Sequence, residues 1–444
     1  MTKKLEIIFM FLTIITFFIV LSVLVLAHEL GHFMTARKFG VRAEEFGLGF
    51  PPRIFGWQVW RERGLKKIAE SENIEMAVKA TPLAGGSGII EEIIVDEKKE
   101  VDEAFWVRKF RFIKGGREIT QDEQKYGTVY SINWLPLGGF VKIKGENGEG
   151  ENEPDSFVSR PIWQRAIMLS AGVIMNIVLA AVLISAGFMI GLPQALDGEL
   201  SARAQVSDKK IQVVEVIKNT PAELAGLQIG DVIINIDNNN FSSYQELQNY
   251  VASNIGHKLT YKIKRGQDLS EAGIIPELMP ETNRGGIGVA ITETGIVSYP
   301  WYLAILEGVK TTVLLTWAII VAFYELIKGL IFGAGVTADL SGPVGIATLT
   351  GQVARMGFVY LLQFTALLSI NLAVINFFPF PALDGGRILF LIIEKIKRSP
   401  VKREVEGAIH NVGFALLMLL VLIVTFRDVA KFGDVFQNIW EKIF

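Results

Sequence analysis

The segment His28-Glu29-Leu30-Gly31-His32 carries the residues best equipped for chemistry. Residues four apart share a face of a helix, so His28 and His32 can direct two imidazoles at one metal ion. Glu29 lies beside them, where its carboxylate can take a proton from a metal-activated water. These residue types at this spacing point to metal-assisted hydrolysis. Two histidines do not complete the set, because a catalytic zinc takes three protein ligands and keeps a fourth position open. The following residues, Phe33-Met-Thr-Ala-Arg-Lys38, add no histidine, so the third ligand must come from elsewhere. The chain has 4 histidines and 0 cysteines, which excludes disulfides and any cysteine metal site. His410 suits packing or hydrogen bonding, and His257 receives no role.

The element presenting these groups is apolar. Ile7–Ala27 carries no charge and runs into His28 without a break, long enough to span about 30 Å of hydrocarbon. Lys3 and Lys4 precede it as in a signal peptide, but the run is too long for such a core and no small-x-small cleavage site follows. Ala166–Leu196, Met356–Leu383 and the shorter Ala408–Phe426 are also uncharged. Thr311–Tyr324 is only 14 residues between Lys310 and Glu325, a length that reads as interfacial or buried rather than spanning. The expected architecture is a polytopic α-helical membrane protein with four transmembrane helices, at 5–36, 162–193, 358–394 and 405–427. Extracytoplasmic amphipathic helices are expected within 300–355. The composition agrees: 50% hydrophobic, with a net charge of -2 that points to no nucleic-acid partner.

Loop charges set the orientation. Lys395, Lys397, Arg398, Lys402 and Arg403 mark one cytoplasmic connection, and Arg37, Lys38, Arg42 and Arg53 another. Both termini then face outward. If Thr311–Tyr324 does not cross, the cytoplasmic end of the third span lies at the depth of His28 and His32. That end reads Asn371-Leu-Ala-Val-Ile-Asn-Phe-Phe-Pro-Phe-Pro-Ala-Leu-Asp-Gly-Gly-Arg387. Pro379 and Pro381 break a helix at membrane depth, and Gly385 and Gly386 are expected to loosen it further. Broken backbone there must be buried in protein or face a wet cavity. An aspartate so placed is costly unless it has a function, which makes Asp384 a candidate third ligand. Glu44 or Glu45 is the alternative, awkwardly close to His32 in sequence.

Outside the membrane, 40–57 and 126–146 read as β elements around a cytoplasmic insertion at 58–125 of unassigned role. Between the second and third spans, 200–292 is a β-rich module. Strands are expected at Val213–Ile217, Val232–Ile236 and Leu259–Lys264, with helices from Pro221 and over Tyr244–Ala252. Gly226, Gly230 and Asp231 are expected to shape a turn. Through Thr220-Pro-Ala-Glu-Leu-Ala-Gly-Leu-Gln-Ile-Gly-Asp-Val-Ile-Ile234 the module resembles a PDZ domain, an α+β fold that binds peptide ends by strand addition.

HELGH in a first span, N-x-x-P-x-P-x-L-D-G in a late span and a PDZ-like domain between them together resemble the site-2 protease family, peptidase family M50. The layout is similar to its bacterial RseP/RasP branch, which cuts membrane-bound anti-sigma factors in the cytoplasmic membrane. The resemblance implies one zinc ion on His28, His32 and Asp384, with Glu29 as general base. It implies that Asn376, Pro379, Pro381 and Gly139 line the substrate path. A small membrane-associated β-sheet after the first helix is implied too, with Gly47–Gly56 and Leu135–Lys144 as its remnants. The partners implied are single-pass transmembrane substrates, peptide or protein C-termini at an extracytoplasmic PDZ domain, and the lipid bilayer. Two departures stand out: Ala171-Gly172-Val173 where the family often has Ala-Gly-Pro before its asparagine (here Asn176), and the insertion. A catalytically silent adaptor, or an anchored zincin cutting soluble proteins, are the competing functions. The intact Glu29 argues against the first.

Overall fold

The computed structural model describes residues 3–65, 104–115, 127–146, 148, 150, 153–196, 201, 203–217, 219–266, 268–279, 284–333 and 341–431. It divides into two compact units, Val182–Lys310 and the remainder.

In the larger unit, α1 (Lys3–Lys38) is one uninterrupted helix, with no proline or internal turn signal to stop it. It ends at Gly40, whose φ of 71° leaves the helical region, with Arg37 and Lys38 in the last turn where the helix dipole favours cations. The chain then enters a three-stranded antiparallel sheet of β1 (Ala43–Leu65), β2 (Ala104–Lys114) and β3 (Val129–Ile143), in the order β2-β1-β3. Both β1 and β3 bend back on themselves. Ala43–Leu48 therefore lies between Gly139–Ile143 and Val129–Ile132, while Phe55–Gln58 pairs with Val129–Ile132. The segment Gly139–Ile143 is thus an edge of the sheet.

This corrects the expected boundary of the insertion. Residues 58–65 and 104–114 are strands of this same sheet rather than a separate structure. Their pairing joins segments some fifty residues apart, which no local pattern announces. The middle of the insertion, 66–103, lies outside the described residues.

The helices that follow are α2 (Ile162–Ile190), α5 (Trp301–Phe332), α6 (Pro343–Met356), α7 (Phe358–Phe377), α8 (Asp384–Lys397) and α9 (Arg403–Lys431), with α3 and α4 in the smaller unit. The expected span at 358–394 is two helices joined by an irregular 378–383. Prolines account for the break, because the ring at Pro379 and Pro381 removes an N–H and clashes with a continuing helix. Arg165 of α2 binds Glu394 of α8 at 2.6 Å, fixing the second piece against the bundle.

Among the described residues, five helices rather than four are long and apolar enough to cross a membrane; the additional one is α5. The uncharged run Thr311–Tyr324 is only its middle. Lys310 pairs with Glu307 at 3.6 Å and Lys328 with Glu325 at 3.2 Å, so the flanking charges sit inside one helix as i,i+3 pairs. The ring of Phe323 lies edge-on to Phe378, 5.6 Å between centroids, so α5 runs beside the end of α7.

The smaller unit holds a six-stranded sheet in the order β4-β11-β5-β6-β7-β8. The strands are β4 (Leu192–Ala195), β5 (Gln205–Val216), β6 (Val232–Ile236), β7 (Leu259–Arg265), β8 (Asp268–Ile274) and β11 (Val289–Ser298). A short pair, β9 (Glu277–Met279) with β10 (Arg284–Gly286), and helices α3 (Pro221–Leu224) and α4 (Tyr244–Ser253) complete it. The fold draws in residues on both sides of 200–292 because β4 and the end of β11 pair with each other.

α4 starts with an N-cap at Ser243 and a carboxylate that reaches back to the residue before it. The Glu246 N–H donates to Ser243 Oγ at 3.2 Å, and the Ser242 N–H donates to the Glu246 carboxylate at 2.9 Å. Its Leu247 and Val251, four residues apart, enter a core with Ile233, Ile236, Tyr261 and Ile263, each such burial contributing about 1.5–3 kcal/mol. Asp231 is fully buried and accepts two hydrogen bonds from Arg265, at 2.7 Å each, and one from the Gln228 N–H at 2.9 Å. Burial alone would raise the Asp231 carboxyl; the Arg265 guanidinium and the Gln228 N–H prevail and hold it below the usual carboxylate range.

Candidate active site

His28 and His32, one turn apart on α1, are 7% and 8% exposed, with their Nε2 atoms 3.2 Å apart. Asp384 Oδ2 lies 2.9 Å from His28 Nε2 and 3.4 Å from His32 Nε2. Zinc bonds of about 2.0–2.1 Å in tetrahedral geometry put ligand atoms roughly 3.3 Å apart. The three separations therefore fit one zinc ion, and two imidazoles with a carboxylate is a donor set that zinc accepts. Among the described residues, these three form the group whose side chains could hold a metal ion.

α2 holds both histidines, and Asp384 is positioned separately. His32 Nδ1 lies 2.8 Å from the Met168 carbonyl of α2. A carbonyl only accepts, so the proton sits on Nδ1 and the Nε2 lone pair faces the cluster. His28 Nδ1 faces the side-chain amide of Asn176, also on α2, at 3.3 Å. Asp384 occupies the first turn of α8, where the dipole stabilises a carboxylate. The loop before it is pinned by His410, whose Nδ1 accepts the Ala382 N–H at 2.9 Å and so supports Ala382 at a φ of 78°. Gly385 and Gly386 do not loosen a helix. They let α8 begin against the carbonyls of Phe377, Phe378 and Phe380, where any Cβ would collide.

Two more glycines set how close α2 comes. A Cβ on Gly31 would strike the Ala171 carbonyl group, with the carbon at 2.6 Å. One on Gly172 would enter the metal cluster, 2.7 Å from both Cε1 and Nε2 of His28 and closer still to His32 Nε2. Backbone this near the ligands leaves room only for glycine.

Glu29 is beside the cluster, and its Oε2 accepts the Val141 N–H at 3.1 Å. The sheet edge and the carboxylate thus border one cavity of about 380 Å³, lined by His28, Glu29, His32, Asp384, Arg387 and the Phe140–Glu146 segment. Arg387 of α8 and Glu146 beyond β3 form an ion pair at its border.

The remaining sequence candidates fall as follows. Glu45 is bound by Arg53 at 2.9 and 2.7 Å, and Glu44 by Lys142 at 2.9 Å; neither joins the cluster. Asn376 is half-buried on the last turn of α7, and Pro379 is exposed. Pro381 packs against α9, where a Cβ on Gly413 would lie 2.7 Å from its carbonyl oxygen. Gly139 is buried opposite Leu48 and over Leu26 of α1, so it supports the edge strand rather than facing the cavity. The hydrogen-bonding role expected of His410 is present, whereas sequence reading missed the roles of Asn176, Gly31 and Gly172. A polar Asn176 and a paired Ala171-Gly172 inside an apolar span were the available signals.

The smaller unit has its own groove of about 1020 Å³, between Leu247 and Val251 of α4 and the Gly285–Val289 segment. Its form suits an extended peptide.

Comparison with known proteins identifies the family. The sequence profile of peptidase family M50 matches residues 16–67 and 104–420, passing over the centre of the insertion. The regulator of sigma-W protease RasP of Bacillus subtilis is 33% identical over 437 residues, 94% of this chain and 98% of that protein. The zinc metalloprotease RasP of Oceanobacillus iheyensis is 31% identical, over 94% of this chain and 99% of that one. A PDZ domain of an SdrC-like protein from Listeria monocytogenes is 30% identical, over 20% of this chain and 92% of that one, with a TM-score of 0.18. With the profile and the relatives both extending over most of its length, the chain belongs to peptidase family M50, the site-2 proteases, as a zinc metalloprotease of a bacterial membrane.

Proposed function

We propose that the protein is an intramembrane endopeptidase that hydrolyses peptide bonds within the transmembrane segments of single-pass proteins, including anti-sigma-factor-like stubs. The observation that carries this reading is the meeting of His28, His32 and Asp384 at the end of an apolar helix, with the edge of a β-sheet on the same cavity. His28, His32 and Asp384 would hold a zinc ion, which would supply Lewis acidity toward a water and the scissile carbonyl. Glu29 would take the proton, with the Val141 N–H orienting its carboxylate for that task.

The substrate raises a separate problem. A transmembrane helix hides its peptide bonds in internal hydrogen bonds, and unwinding it in lipid costs several kcal/mol per unsatisfied group. The open side of Phe140–Ile143 offers backbone groups to an unwound strand. Asn376 at the end of α7 is assigned to the same substrate path. The PDZ-like domain binds peptide ends through the Leu247–Val251 groove and filters substrates.

The orientation rests on Lys395 to Arg403 and on Arg37, Lys38 and Arg42, which assign the site to the cytoplasmic leaflet and the PDZ-like domain to the outside. α2 leads away from the site and α7 returns to it, so the intervening α5 and α6 make an even number of crossings; that number is taken as none, with α5 staying on one side.

The reading is tested by reconstituting the full chain with a single-pass substrate and mapping the cut by mass spectrometry. Cuts inside the apolar segment are expected; cuts confined to its soluble flanks would favour the anchored zincin. That alternative also needs Glu44 or Glu45 as a ligand, and both are engaged by basic residues.

A further inference from the structure

The two histidines are held differently, and the difference falls on Asn176. This residue is fully buried, and its backbone carbonyl accepts the Ser369 hydroxyl of α7 at 2.8 Å. Its Nδ2 lies 3.3 Å from His28 Nδ1, while its Oδ1 is buried with no hydrogen-bond partner. A buried polar atom left unpaired costs about 1–3 kcal/mol, so an orphan beside a metal ligand needs a reason.

The proton on His28 provides one. His28 Nε2 lies 2.9 Å from the Asp384 carboxylate, and Nδ1 lies 3.3 Å from the Asn176 side-chain amide. Metal ligation through Nε2 fixes the tautomer. Nε2 must offer its lone pair, so the ring proton sits on Nδ1 and needs an acceptor. The Asn176 side chain supplies one in Oδ1, since the two orientations of its amide fill the same volume and Oδ1 has no other partner. The Met168 carbonyl facing His32 can only accept, so His32 is set in the ligating tautomer.

We propose that Asn176 is a positioning residue for His28, whose side-chain amide oxygen accepts the Nδ1 proton and so holds Nε2 toward the metal. This rests on the zinc site described above. Asparagine and a carboxylate can both accept that proton; an alkyl side chain cannot.

The test is zinc affinity of the purified full-length protein by chelator competition, with thermal unfolding of the metal-free form as a control for folding. Asn176→Leu and Asn176→Ala should bind zinc about 10–100-fold more weakly, the usual cost of losing such a hydrogen bond to a ligand. Asn176→Asp, which keeps an acceptor, should stay within about threefold of wild type and within the span that separates it clearly from the other two. Two results overturn the role of Asn176 alone. One is wild-type affinity in the Leu and Ala variants while His28→Ala loses the metal. The other is an Asp variant that falls with them, which would mean packing and not hydrogen bonding. A wild-type protein that holds no zinc, or holds it equally after His28→Ala, overturns the site itself and the proposal with it.

Discussion

Gly172→Ala offers a sharp test of how the site is built. The added Cβ would lie 2.7 Å from His28 Nε2. Ordinary contact is about 3.5 Å, so the ring must retreat by roughly 0.8 Å. Metal–ligand distances tolerate only about 0.2 Å. His32, which the same Cβ would press harder, cannot turn aside without losing its bond to Met168. Nor can α2 withdraw freely, because Gly31 is already seated on Ala171. Loss of one supporting hydrogen bond costs about 10–100-fold in metal affinity. Displacing two ligands should cost at least about 100-fold, or roughly 2.7 kcal/mol. Zinc per protein after gel filtration, followed by chelator competition, measures this directly. The helical signal should survive, since the atoms in conflict are ring tips rather than core backbone. A Gly172→Ala protein that retains one zinc with wild-type affinity would refute the close approach of α2 to the ligands.

Other outcomes follow from neighbouring contacts. Gly31→Ala presses a Cβ on backbone and should destabilise the protein by about 1–3 kcal/mol, read as a lowered Tm in detergent. His410→Phe leaves the Ala382 N–H without its acceptor, and zinc affinity should fall because the loop carrying Asp384 loosens, measured by the same competition. Asp231 is held below its unfolded carboxyl value, so its contribution is complete above about pH 4 and is lost as pH falls through the lowered folded value. Hydrogen exchange over Ile211–Ile274 of the full chain should therefore accelerate in acid, and Asp231→Asn should flatten that dependence. Gly333→Cys, in a chain without native cysteine, should react with an impermeant reagent from outside; reaction only from the cytoplasm would refute the proposal that α5 does not change sides.

The site was more legible than its frame. His28, Glu29 and His32 are local, and helical periodicity alone puts both imidazoles on one face. Asp384 could be singled out because a carboxylate among prolines in an apolar run has few structural uses. The supports were illegible because their partners are distant. Asn176 resembles ordinary interhelical glue until His28, 148 residues earlier, is brought to it. Gly172 looks like any small residue of a span until its Cβ position is found among the ligands. The reach of β1 and the existence of β2 depend on long-range pairing, which alternation does not specify. The full length of α5 was illegible for a simple reason: a count of uncharged residues stops at Lys310 and Glu325, whereas i,i+3 pairing carries both inside a helix. The smaller unit was the most legible, since β6 occupies Val232–Ile236 where turn residues and alternation place it. Its Ser243 N-cap and the Gly226–Asp231 turn are written in consecutive residues.

The central claim is that Glu29 drives hydrolysis of a peptide bond within a membrane segment. It is tested most directly by wild type and Glu29→Gln acting on one reconstituted transmembrane substrate, with zinc measured in both. The account predicts cleavage within the apolar segment by wild type, and a Glu29→Gln protein that binds zinc equally yet leaves the substrate intact. Cleavage at an undiminished rate by zinc-loaded Glu29→Gln would contradict it.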